Sequence, residues 1–252
     1  MHAPFDGHGA VDGRMWQMAM RWRRLLFMHW PVDPAWLRGT LPPAVAPHLD
    51  THDGQAWLGV VPFVMSGMRH RFAPPIPVCG LAGFPELNLR TYLNVNGRRG
   101  VWFFSLDAHS RIGVRVARRL FHLPYFDAHM AAEAIGSGTH FRSERTHRGA
   151  APAHVAATYE PIGPVAPAAA DTLDHFLTER YCLFAVDGRG RRWRGDIDHA
   201  PWPLQPARAD VRTLDMTSLL GPDAPDLDPA EARLAYADDL PVRAWLPIRD
   251  DV

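Results

Sequence analysis

The sequence predicts an α+β domain built on a large curved antiparallel sheet or barrel, on three observations. Segments rich in β-branched and aromatic residues follow one another between turn clusters such as THDG (51–54) and NGRRG (96–100). Helical patterns are few and inserted among the strands; they do not alternate with them, which argues against a doubly wound parallel sheet. The chain has 252 residues, 47% apolar and 21% charged, which is enough for one large core.

Residues 1–13 are polar and glycine-bearing and are expected to form a flexible lead-in, leaving 14–252 as a single domain. RMWQMAMRWRRLLFMHWPV suits either a helix or a strand at its start and an extended end before Pro31. Asp33 followed by Pro34 has the form of an N-cap with proline at the first helical position, opening a short helix over AWLRGTL. QAWLGVVPFVMSGMRHRF reads as a hairpin bent at its proline and glycines. ELNLRTYLNV, turned at NGRRG and returning as VWFFSLDA, is a stronger one.

RIGVRVARRLFH repeats Ile112, Val116 and Leu120 at helical spacing and predicts an amphipathic helix ended by Pro124. Strands follow at YFDAHMAA, THFRSERTH and AHVAATYEP, then a helix around DTLDHFLTER, a hairpin around AVDGRGRRWRG and terminal strands near EARLAYA and PVRAWLPI. The proline-rich loop at 161–167 is the one candidate boundary, and strand-rich sequence on both sides favours continuity.

The chain contains no lysine, and its 27 arginines balance 27 acidic residues. Zero formal net charge disfavours nucleic acid and anionic membrane as partners. Without lysine there is no pyridoxal phosphate anchor, no P-loop lysine and no amine to trap a carbonyl, and no cofactor is expected. Cys79 and Cys182 are too far apart for a CxxC pair or a cysteine zinc cluster, which suits a reducing compartment. The start lacks the basic and apolar regions of a secretory signal, and no apolar run reaches the roughly 18 residues that span a bilayer, so a cytoplasmic protein is expected.

Alternation along ELNLRTYL puts Glu86, Asn88, Arg90 and Tyr92 on one strand face and Leu87, Leu89, Thr91 and Leu93 on the other. A polar row of this kind is either a solvated sheet face or the lining of an enclosed cavity. The partner strand VWFFSL is apolar at successive positions and so is expected to be covered on both faces, which favours the cavity. His48, Asp50 and His52 alternate, as do Ser105, Asp107 and His109, but both sets sit beside turns and no HExxH spacing occurs, so no metal is expected.

FPELNLRTY, GVWFFSLDA, ARRLFHLPY, LTERYCLF and HAPWPLQ, in this order, resemble the YqjF-like family, a domain of unknown function in the acetoacetate decarboxylase-like superfamily. The resemblance runs from about Trp22 to the last strands. It implies a cone-shaped, partly open β-barrel with flanking helices and a buried pocket, a small-molecule ligand and, as often in that superfamily, homo-oligomers. In the decarboxylases a GRE segment precedes GFPKK, whose lysines form the Schiff base and lower its pKa. Here the matching arginine is Arg118 and the matching proline Pro124, so the lysine positions fall on Tyr125 and Phe126. A phenol can donate a hydrogen bond but cannot condense with a ketone. A pocket glutamate of that superfamily matches Glu86 in FPEL.

The candidate catalytic residues are therefore Glu86, Arg118 and Tyr125, and the candidate ligand-binding set adds His29, Trp30, Asn88, Arg90, Phe104 and Phe126. Arg118 either grips a carboxylate or ties its helix to an acid; His29 either borders the pocket or is a satisfied core histidine. Three functions stay open. The first is a pocket that binds or senses an organic acid, ketone or aromatic compound without lysine chemistry. The second is a lyase or isomerase using Glu86 as acid/base with Arg118 and Tyr125. The third is a structural or interaction domain with a filled cavity.

Overall fold

The computed structural model describes residues 10–72, 83–109 and 121–250. A two-residue hairpin, β1 (Ala10–Val11) with β2 (Arg14–Met15), precedes the main sheet. The long strands that follow are β3 (Met18–Val32), β4 (Ala56–His70), β5 (Phe84–Val95), β6 (Arg98–Ala108), β7 (Tyr125–Ile135), β8 (Gly138–Arg145) and β9 (His154–Pro161). After them come β10 (Cys182–Val186), β11 (Arg192–Asp198), β12 (Ala207–Asp215), β13 (Arg233–Ala244) and β14 (Ile248–Arg249). Among the described residues two short α-helices are inserted, α1 (Pro34–Gly39) and α2 (Leu173–Thr178).

The described strands of the main sheet run β10-β11-β13-β3-β4-β5-β6-β7-β8-β9-β12, and β10 also pairs with β6. That second pairing is parallel, with Leu183 opposite Val101, and it closes β6, β10, β11, β13, β3, β4 and β5 into a ring. The remaining strands, β7 to β9 with β12, leave the ring through a parallel β6–β7 pairing and fold back over its outer face. Phe141, Val155, Ala157 and Tyr159 of this flap pack against Leu26, Met28, Leu58, Val60, Leu87 and Leu89 of the ring. The ring's interior is lined by a separate apolar set that includes Leu25, Val61, Phe63 and Val242.

Several expectations hold in detail. Asp33 caps α1, its carboxylate accepting from the Trp36 N–H at 2.6 Å. Asn96 and Gly97 join β5 to β6 with φ of 53° and 82°, the left-handed pair a two-residue hairpin requires. Three segments add to or change the reading of the sequence. RMWQMAMRWRRLLFMHWPV is strand through most of its length, because it pairs with β13 on one side and β4 on the other. QAWLGVVPFVMSGMRHRF is one central strand and not a hairpin. Pro62 is tolerated there because the β3–β4 ladder is interrupted between Arg23 and Met28, where Arg24 adopts φ 49°. ARADVRTLD, unread as a strand, forms β12; as the last strand of the flap its outward residues are charged, which masks the apolar alternation. The amphipathic pattern at Ile112, Val116 and Leu120 lies outside the described residues, as does most of the 1–13 lead-in.

Ring closure depends on close approach at Gly100. A Cβ there would stand 2.7 Å from the Cys182 carbonyl oxygen, the Cys182 Sγ and Phe184 Cε2, so β10 crosses β6 where only glycine leaves room. Gly100→Ala is expected to destabilise the protein by about 1–3 kcal/mol, from overpacking at the seam. Gly188→Ala, with open space around it, should stay near wild type. Equilibrium urea unfolding of both variants checks this, and equal midpoints would show that the seam does not constrain the fold.

Candidate functional site

A cavity of about 220 Å³ lies inside the ring. Its walls are mostly apolar, with Met18, Met20, Met65, Met68 and Phe84 toward one end and Val101, Leu183, Thr178 and Arg180 toward the other. β5 supplies its polar stripe. Leu87 and Leu89 are claimed by the core between ring and flap, so the alternation of the strand sends Glu86, Asn88 and Arg90 into the cavity. All three are buried.

β6 contributes through a bulge. Leu89 pairs with Ser105 but Arg90 with Phe103, so Phe104 is the extra residue and the facing side switches there. Leu106 and Ala108 line the cavity beyond the bulge, and Val101 and Phe103 before it. Phe104, expected in the wall, instead packs in the cores outside the ring.

Tyr125 and Phe126 separate for a similar reason. In the parallel β6–β7 pairing Tyr125 stands opposite Leu106 and faces the cavity, while Phe126 stands opposite Asp107 and faces away. Phe126 lies under the Arg145 guanidinium at 4.1 Å, and Arg145 holds Asp107 through Nε at 3.1 and 3.2 Å and through Nη2 at 2.5 Å. That ion pair is fully buried, and it ties β6 to β8 behind the cavity wall. Burial pushes the Asp107 carboxyl up while Arg145 draws it back down.

The Tyr125 hydroxyl lies 3.4 Å from both Oε1 and Oε2 of Glu86, donating to the carboxylate. Burial raises the Glu86 carboxyl to about 8, opposed by the Tyr125 hydrogen bond and reinforced by the nearby Asp107. Tyr125 is pushed well above the ordinary phenol range by its own burial and by the Glu86 charge. At neutral pH the pair therefore holds a proton in an apolar setting, where it can be given to or taken from a reacting carbon or oxygen.

Arg90 donates to Tyr92 Oη at 3.3 Å and to the Leu177 carbonyl at 3.2 Å, and its guanidinium lies over the rings of Phe27 and Tyr92. His29 reaches Tyr92 Oη through Nε2 and has no place in the cavity wall. Its ring sits over Gly59, where a Cβ would meet His29 Cδ2 at 2.9 Å. Burial, then Arg90, hold its pKa well below the usual value, so it is a neutral core histidine behind the site. Trp30, also expected at the pocket, points into the ring–flap core and donates from Nε1 to the Asp228 carbonyl at 2.7 Å. Its strand neighbour Pro31 faces solvent, and the tight alternation leaves Trp30 no route inward.

Arg118 lies outside the described residues. Arg180, not anticipated, enters the cavity wall from just beyond α2: Nε caps the Phe176 carbonyl at 2.7 Å and Nη1 meets Asp50 at 2.7 Å. Its signal was the arginine of LTERYCLF, an invitation to ask why a charge directly follows an apolar helix. Trp22 and Trp202 complete the wall, stacked with centroids 5.6 Å apart. The histidine–aspartate alternations disperse: His48 meets Arg192, Asp50 meets Arg180 and Asp107 meets Arg145. No group of three metal-ligating side chains forms among the described residues.

Residues 19–241 match DUF2071, described as an uncharacterized conserved protein. The chain belongs to the DUF2071 family. It is 42% identical over 240 residues to the uncharacterized protein YqjF of Bacillus subtilis (strain 168), covering 95% of each chain. The fold of this DUF2071 protein is that of the acetoacetate decarboxylase-like proteins. A solved structure of acetoacetate decarboxylase aligns with TM-score 0.63 at 12% identity, covering 94% of this chain and 89% of that one. The enduracididine biosynthesis enzyme MppR, complexed with pyruvate, aligns with TM-score 0.62 at 14% identity, covering 98% and 95%. No helix among the described residues is long and apolar enough to cross a membrane.

Protonated Glu86 is favourable to fold below about pH 4.5, where the unfolded chain also holds the proton. Above that the unfolded carboxyl ionises first, so this contribution is lost as pH rises toward about 8. Glu86→Gln is expected to match wild type near pH 4.5 and to gain on it by on the order of 4 kcal/mol by pH 8. Urea unfolding of both proteins across this range measures the difference. A gap that does not change with pH would show that Glu86 titrates as an ordinary surface carboxyl.

Proposed function

We propose that this protein binds a small organic acid, ketone or aromatic compound inside its β-ring, without lysine chemistry. The observation that carries this reading is the cavity itself: a mostly apolar volume into which one strand directs Glu86, Asn88 and Arg90, with Tyr125 opposite. A domain whose interior served packing alone would gain nothing from burying this polar row. The fold relatives support the reading only in kind, since one of them is described in complex with pyruvate. Their lysine reaction has no counterpart here.

A second reading adds catalysis, and the Glu86–Tyr125 contact favours it. The ionised fraction of Glu86, which grows as pH rises toward about 8, would take a proton from a carbon next to a carbonyl and return it elsewhere, while the Tyr125 hydroxyl hydrogen-bonds the developing enolate oxygen. This is isomerase or lyase chemistry carried by an acid–base pair alone.

Ligand-observed NMR over a panel of small acids, ketones and aromatic compounds is expected to show saturable binding; a panel without a single binder would leave the ring as a structural element. The same samples in D2O report catalysis. Saturable deuterium exchange next to a carbonyl should fall at least about 100-fold in Glu86→Gln and less in Tyr125→Phe. Exchange that is unchanged in Glu86→Gln would remove the catalytic reading and leave the binding one.

A further inference from the structure

Among the described residues, the charges around the cavity do not balance. Arg90 and Arg180 are both buried, and among the described residues Arg90 makes no ion pair with a carboxylate. Arg180 has Asp50, but Arg99 also approaches that carboxylate at 3.8 Å, so one acid serves two guanidinia. The other acids near the cavity are engaged elsewhere: Glu179 accepts from the Trp202 N–H and the Tyr181 hydroxyl. Asp107 faces away and is committed to Arg145, and Glu86 carries its proton at neutral pH. His29 is neutral and contributes neither sign. Guanidinium does not deprotonate in proteins, so Arg90 remains a buried cation held by a phenol oxygen, a carbonyl and two ring faces. Such a charge is costly without a counter-ion. Arg90 Nε and Arg180 Nη2 are also buried and without a hydrogen-bond partner among the described residues.

The rest of the cavity has the opposite character. Beyond Glu86 the wall is Phe84, Met65, Met20, Met18 and Met68, and Met68 is 38% exposed, so this end reaches the surface. Methionines conform to varied apolar shapes. Beside this end, Trp16 is flanked by the guanidinia of Arg69, Arg71 and Arg243 at 5.1 to 5.9 Å, a basic cluster that attracts anions. From Glu86 to Arg90 the strand advances about 13 Å at 3.3 Å per residue. The Arg90 guanidinium leans further, toward Tyr92 and Leu177.

We propose that the cavity accepts a monocarboxylate with an extended apolar body, its carboxylate paired with Arg90 beside Arg180 and its body running past Glu86 and Tyr125 to the methionines. This deepens the binding function above and rests on it. Any carbon that Glu86 and Tyr125 act on then lies several bonds from the carboxylate. Short acids, in which the reactive carbon adjoins the carboxylate, cannot reach both groups at once.

Titration calorimetry at pH 7 tests this with butanoate, hexanoate, octanoate and decanoate, and with octan-1-ol as an uncharged counterpart. Affinity is expected to rise about fourfold for each added methylene until the chain reaches Met68. Octanoate should bind at least tenfold more tightly than octan-1-ol, and Arg90→Gln should erase that preference. Equal binding of octanoate and octan-1-ol by wild type overturns the proposal and leaves the pocket reading standing. A preference that survives in Arg90→Gln overturns the role of Arg90. Failure of both compound classes to bind refutes the proposal, and the wider panel of ketones and aromatic compounds then decides the pocket reading separately. The wild-type comparison of acid with alcohol decides the matter even if Arg90→Gln does not fold.

Discussion

The alternation of β5 governs the rest of the molecule. Leu87 and Leu89 are completely buried between the ring and the flap, and a strand has only two faces. Once those leucines are committed outward, Glu86, Asn88 and Arg90 must point into the ring. The ring's outer face thus packs as core against the flap, while its interior, apolar elsewhere, takes the polar stripe. The flap makes this arrangement stable, because without β8 and β9 the leucine face would lie open to water.

Two further devices adapt the neighbours to that choice. The bulge at Phe104 switches the facing of β6, so that one strand can place Leu106 and Ala108 beside Glu86 and Val101 and Phe103 beside Arg90. The parallel pairing of β7 with β6 then turns Tyr125 inward and Phe126 outward. Tyr125 meets the buried glutamate, and Phe126 stacks on the arginine that neutralises Asp107. The acid–base pair and the buried ion pair are therefore consecutive products of one strand's alternation. They lie on opposite sides of the same wall, close enough for Asp107 to raise the Glu86 pKa.

The likeness to acetoacetate decarboxylase and to MppR, at 12% and 14% identity, is one of fold. The chain has no lysine, and the polar groups that line its cavity include a carboxyl, an amide, a phenol and two guanidinia. A phenol beside a desolvated carboxyl can shuttle a proton. A buried guanidinium that pairs with no acid among the described residues can receive a carboxylate. Both functions are compatible with the apolar walls, since each interaction strengthens where water is excluded.

Much of this was legible in the chain. Period-two alternation marks the polar row of β5, Asn96–Gly97 marks its turn, Asp33–Pro34 marks the start of α1, and the ordered motifs mark the family. These signals are local, depending on φ preferences, side-chain hydrogen bonds and strand periodicity, and so they survive in a linear reading. Whether the polar row faced water or a cavity was not local, because it depended on what covered the opposite face. Trp30, Phe104 and Phe126 were expected at the pocket and lie outside it, since a bulge and two strand pairings, invisible in sequence, set their facing. Arg180 was missed because its role arises only when the residue after α2 meets Asp50 and β5, distant in sequence and adjacent in the ring. The sequence by itself determined which residues could share a face and which chemistry was lost with lysine. Only the tertiary structure decided which face was inside, because burial belongs to the whole sheet and not to any one strand.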